Sequence, residues 1–116
     1  MKEMTRRFFE ENTAWIKYAL AHYSQEGSRY RHLADATDEL KKDGFLNDGC
    51  LEFRRKYRDK SNSMWLRHSA IRDVMDIMTG EESFGFKFED DYLCEKEEDL
   101  AINALQEFIE QYRSRS

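Results

Sequence analysis

The sequence predicts an all-α protein: one compact bundle of about five helices over residues 1–116. A short aromatic, acidic loop, or at most a minimal strand, precedes the last helix. Three observations lead there. The 116 residues contain no proline, where average usage near ~5% would give about six; proline removes a backbone donor and clashes with the preceding turn, so its absence favours long helices. Apolar residues recur at helical spacing in five segments. Between those segments lie glycines or Ser/Asn/Asp clusters, which read as breaks. At 40% hydrophobic and 14% aromatic residues, the chain holds enough apolar material for a core and lies outside the disordered class.

The first helix is expected from Thr5 to Tyr23. Phe9, Ile16, Leu20 and Tyr23 define its apolar face; Phe8, Trp15 and Ala19 widen it. Gly27 reads as the break after it and Ser28 as the cap of a second helix carrying Tyr30, Leu33, Ala34, Thr37 and Leu40. Lys41 and Lys42 suit the last turn of that helix and Gly44 closes it. Asn47-Asp48-Gly49 signals a turn. A short third helix follows over about 49–60, and Ser61-Asn62-Ser63 reads as a polar break. The fourth helix, Met64 to Met78, has the stripe Met64, His68, Ile71, Met75 and Met78, with Val74 beside it and Gly80 as its stop. Residues 81–92, EESFGFKFEDDY, alternate with a period of two and have no strand to pair with, so a loop is the expectation. The last helix runs to Tyr112 on Leu100, Ala101, Ala104, Leu105 and Phe108, flanked by Ile102 and Ile109.

Several chemistries find no support in these residues. No GxxxxGK or GxGxxG phosphate loop is present. The two cysteines, Cys50 and Cys94, form no CxxC pair, and none of His22, His32 and His68 has a second His or Cys at i+3 or i+4. His68 on its apolar stripe reads as a core histidine. The carboxylate pairs Asp35/Glu39 and Asp73/Asp76 would suit a magnesium-dependent hydrolase if they pointed inward. At ~100° per residue, however, Asp73 and Asp76 fall about 140° to 200° from Ile71, on the solvated side. The expectation is therefore no enzyme, no metal and no cofactor, with a small helical metal-dependent hydrolase as a second alternative. No apolar run approaches the ~20 residues of a membrane span. With no secretory signal in MKEMTRRFFEEN, a cytoplasmic protein without membrane contact is expected.

Charge is the informative feature. The net charge of −5 is unevenly spread. Residues 1–80 hold 15 Lys/Arg against 13 Asp/Glu; residues 81–116 hold 4 against 11. Such asymmetry bears on partners rather than fold. Acids at 95–99 stabilise the first turn of the last helix. Glu81, Glu82, Glu89, Asp90 and Asp91 crowd a loop together with Phe84, Phe86, Phe88 and Tyr92, where repulsion calls for compensation from a basic surface. The expected function is a non-enzymatic protein-binding module that docks an acidic, aromatic surface, about 81–99, on a basic partner. Immunity proteins and phage-encoded nuclease inhibitors follow that logic, occupying sites meant for nucleic acid.

The alternative is nucleic-acid binding through LEFRRKYRDK at 51–60. On a helix, Phe53 and Tyr57 share a face with Cys50 and are expected to be buried, hence unable to stack on bases. Glu52 and Lys56, then Arg55 and Asp59, stand four residues apart and suit ion pairs. Arg54 and Arg58 are left as a two-arginine ridge, available to phosphates, to the carboxylates of 81–91, or to a partner.

Overall fold

A computed structural model of the chain describes residues 1–42, 44, 50–80 and 94–114; for residues 39–42, 50 and 51 only the backbone is described. The described residues form four α-helices: α1 (Glu3–Glu11), α2 (Thr13–Lys42), α3 (Cys50–Thr79) and α4 (Glu95–Ser114). The class is all-α as expected, with four helices rather than five among the described residues. The aromatic stretch 84–88, expected as a loop or strand, lies outside them.

The difference in count has local causes. Asn12 makes a break the apolar spacing does not announce. Its backbone N–H bonds the carbonyls of Phe8 and Phe9, and its side-chain amide donates to Phe8 O at 2.8 Å. Thr13 Oγ1 donates to Phe9 O and Glu10 O. Short polar side chains compete with the helix for its own carbonyls, so α1 closes here, and Trp15 N–H to Asn12 O opens α2. Conversely, Gly27 and Ser61-Asn62-Ser63, expected as breaks, lie inside α2 and α3. Gly80 does stop α3, at a φ of +72° that suits glycine.

The described residues divide into two compact units, Met1–Ala21 with Arg67–Ser116, and His22–Leu66. In the first, α1 packs on α4. Its core is Phe9, Ile16, Ala19, Ala70, Ile71, Val74, Ile77, Ala101, Ala104, Leu105, Phe108 and Ile109. The buried stripe of α3 is thus rotated toward Ala70 and Ile77, leaving Met75, Met78 and His68 half-buried at its edge. Trp15 meets Phe108 and Tyr112 edge-to-face at 6.3 and 5.3 Å between ring centres. Glu98, only 4% exposed, accepts the Lys2 backbone N–H at 2.8 Å. That places a carboxylate at the positive end of α1, where Lys2 offers no side-chain cap.

The second unit is an antiparallel helix pair. Gly27 is buried against Trp65: a Cβ on Gly27 would lie 2.7 Å from the indole Nε1. Buried Ser61 donates through Oγ to the Gly27 carbonyl at 2.8 Å. Tyr30 stacks on Tyr57 at 6.3 Å, with Lys60 Nζ 5.3 Å from the Tyr30 ring centre. Glycine and serine let the backbones come close enough for these contacts to form.

Candidate functional site

The sequence-predicted site divides into a part outside the described residues and a part within them. Glu82, Phe84, Phe86, Phe88, Glu89, Asp90, Asp91 and Tyr92 lie outside. Of the acids that follow, Glu95 contacts Lys2 Nζ at 2.7 Å on the surface. That hydrogen bond holds the Glu95 carboxyl below the usual range and the Lys2 amine above it. Glu98 caps α1. Glu97 hydrogen-bonds Asp73; that contact, then burial, then repulsion by the same carboxylate push its pKa up to about 7. Three acids of the expected docking surface therefore serve internal contacts of the first unit.

Asp73 corrects the angular argument that put it on the solvated side. Its side chain is 19% exposed, with Arg72 Nε 3.9 Å away, and Asp76 is also half-buried. The wheel measured both against Ile71, but α4 covers part of the flank those residues occupy, as the Asp73–Glu97 hydrogen bond records. His68, half-buried on α3, is pushed below its ordinary pKa by burial and by nearby Arg72. Among the described residues no three of His, Cys, Asp and Glu converge as a metal set. Cys94 is an exposed thiol. No helix among them is long and apolar enough to cross a membrane.

The basic helix departs from expectation at three points. Phe53 is 57% exposed rather than buried; the facing α2 residues engage Tyr57 instead. Arg54 is not uncommitted: its Nε lies 2.6 Å from Asp38 Oδ1, with both side chains about one-third exposed. The pair is Coulombic and lacks hydrogen-bond alignment at Nε. Glu52, Arg55, Lys56, Arg58, Asp59 and Lys60 are exposed. The expected pairs Glu52–Lys56 and Arg55–Asp59 are not among the ion pairs of the described residues. These side chains border open concavities. One of about 770 Å³ runs along Glu52, Arg55, Lys56, Asp59, Lys60 and Ser63; one of about 410 Å³ is bordered by Arg54, Arg55, Arg58, Asp59 and Asn62. A third, of about 240 Å³, lies between α2 and α3 over Ala34 and Ser61.

Sequence reasoning missed the α2 half of this surface. Arg31 and Asp35 border the third concavity opposite Arg58 and Asn62. The signal was present: Gly27, Tyr30, Ala34 and Asp38 repeat the spacing of Arg54, Tyr57, Ser61 and Trp65, so the two stripes can pair antiparallel.

Compared with known proteins, the chain matches no family model, no curated protein and no solved structure.

Proposed function

We propose that the protein is a non-enzymatic binding module of the inhibitor or immunity type. It sets an acidic, aromatic segment centred on Glu82–Tyr92 against a basic site of a protein partner. One observation carries the reading: three acids at the C-terminal end of the 81–99 stretch are engaged within the described fold. Glu95, Glu97 and Glu98 have internal partners, and Arg54, expected as a counterpart for the block within the chain, is held by Asp38. Glu81, Glu82, Glu89, Asp90 and Asp91 are like charges close together in sequence, and such a cluster favours a basic counterpart on another molecule. The test is the triple reversal of Glu89, Asp90 and Asp91 to lysine, followed by affinity capture from the native host. Loss of the captured partner with an unchanged helical signal is expected; a complex that survives the reversal sinks the proposal.

A second reading rests on the exposure of Phe53 beside Arg55, Lys56, Arg58 and Lys60. An exposed ring among cations is the arrangement used on single-stranded nucleic acid, where stacking adds to phosphate contacts. A salt-dependent gel shift supports this reading, and no shift at low ionic strength ends it.

A further inference from the structure

We propose that the cleft between α2 and α3, bounded by Arg31, Asp35, Arg58 and Asn62, is a binding site for a phosphate group. Its floor is small and fixed. Ala34 and Ser61 are buried there, and the Ser61 hydroxyl is tied to the Gly27 carbonyl. The floor leaves about 240 Å³ of open volume between the helices. Two arginines border it, Arg31 from α2 and Arg58 from α3, together with Asn62.

The neighbouring arginines are engaged: Arg54 by Asp38, and Arg29 by Glu26 at 2.7 Å. Among the described residues no ion pair joins Arg31 or Arg58 to a carboxylate, although Asp35 borders the same cleft. Two like charges brought to one concavity repel, and an anion between them removes that cost. A guanidinium presents paired N–H donors at the separation of two phosphate oxygens, so two of them on opposite walls suit a tetrahedral oxyanion. Asp35 leaves two positive groups against one negative, so the affinity is modest and falls with salt. The proposal does not rest on the acidic block.

The shared chemistry is phosphate; its source is either a small phosphorylated molecule or a nucleic-acid backbone. Inorganic phosphate and a short single-stranded oligonucleotide are titrated separately into the full chain, with chloride at matched ionic strength as the control. Arginine side-chain and backbone amide signals are followed by NMR. Saturable shifts at Arg31, Arg58 and Asn62 are expected with inorganic phosphate, and a small-molecule source is then sufficient. Shifts at these residues only with the oligonucleotide assign the cleft to a polymer backbone. Arg31→Gln and Arg58→Gln each lower the affinity by at least about tenfold, the loss of one charged hydrogen-bonding partner, with the unfolding temperature unchanged because both side chains are exposed. Absence of saturable shifts with both probes overturns the proposal, as does binding that persists in the double variant.

Discussion

Asp73→Asn should flatten the dependence of stability on pH. In the folded chain the Glu97 carboxyl is raised to about 7 by its hydrogen bond to Asp73, by burial and by the charge on Asp73. In the unfolded chain it titrates near its ordinary value of 4.5. A raised acid stabilises the fold fully below the unfolded pKa, and that stability is lost as pH rises through the folded pKa. At about 1.36 kcal/mol per pKa unit, that rise sets a ceiling of roughly 3 kcal/mol. Glu97 is only partly buried, and water screens such a pair, so the discounted expectation is about 1 kcal/mol. For a chain of this size that is about 4 °C in unfolding temperature. His68 acts oppositely: its pKa is lowered by burial and Arg72, so it withdraws stability as pH falls below about 6.5. Comparing wild type with Asp73→Asn cancels the His68 contribution, which both share. Urea unfolding followed by circular dichroism at about pH 5 and about pH 8.5, either side of the Glu97 transition, measures the difference. The variant should gain on the wild type by about 1 kcal/mol at the higher pH. Parallel curves at both pH values would refute the shared-proton contact between α3 and α4.

Four further sites, Gly27, Thr5, Arg54 and Arg58, probe the packing. Gly27→Ala gains up to about 1 kcal/mol of helix propensity, but its methyl meets the Trp65 ring at 2.7 Å. Overpacking of about 1–3 kcal/mol should outweigh that gain, and adding Trp65→Ala should cancel the Gly27→Ala penalty in a double-mutant cycle read by chemical denaturation. Thr5→Val should stabilise the chain by about 0.5–1 kcal/mol in thermal unfolding, because Thr5 is 0% exposed and its hydroxyl has no partner among the described residues. Arg54→Ala should cost up to about 1 kcal/mol through its partly exposed pair with Asp38. Arg58→Ala should leave stability within about ±0.5 kcal/mol, as an exposed residue does.

What the sequence made legible was periodicity. The helical class, the faces built on Phe9, Ile16 and Ala19 and on Ala101, Leu105 and Phe108, and the stop at Gly80 all follow from local rules. The misreadings came from residues whose local and tertiary meanings differ. Gly27 and Ser61 are break signals in isolation, yet each occupies the crossing of α2 and α3, where a larger side chain would hold the helices apart. Tertiary contact outweighs a propensity cost of about 1 kcal/mol. The spacing that reveals this runs straight through the supposed breaks. Asn12 is the reverse case: its neighbours keep the apolar register of one long helix, and local polar bonding by Asn12 and Thr13 to the carbonyls of Phe8, Phe9 and Glu10 closes α1.

The charged residues were legible in kind and not in partnership. That acids stabilise the start of α4 follows from the helix dipole, but Lys2 and Asp73, which claim Glu95, Glu98 and Glu97, lie far away in the chain. The same holds for the arginines of α3. Arg54 and Arg58 stand one turn apart on one ridge, and nothing in LEFRRKYRDK ranks one above the other. The antiparallel pairing of α2 with α3 does. It places Asp38 opposite Arg54, where the charge is neutralised, and Arg31 opposite Arg58, where charge accumulates. A structural arginine is one whose partner the fold supplies. An arginine that the fold sets beside a second cation, over a floor kept open by Ala34 and Ser61, is better explained by a ligand than by the stability of the helix pair.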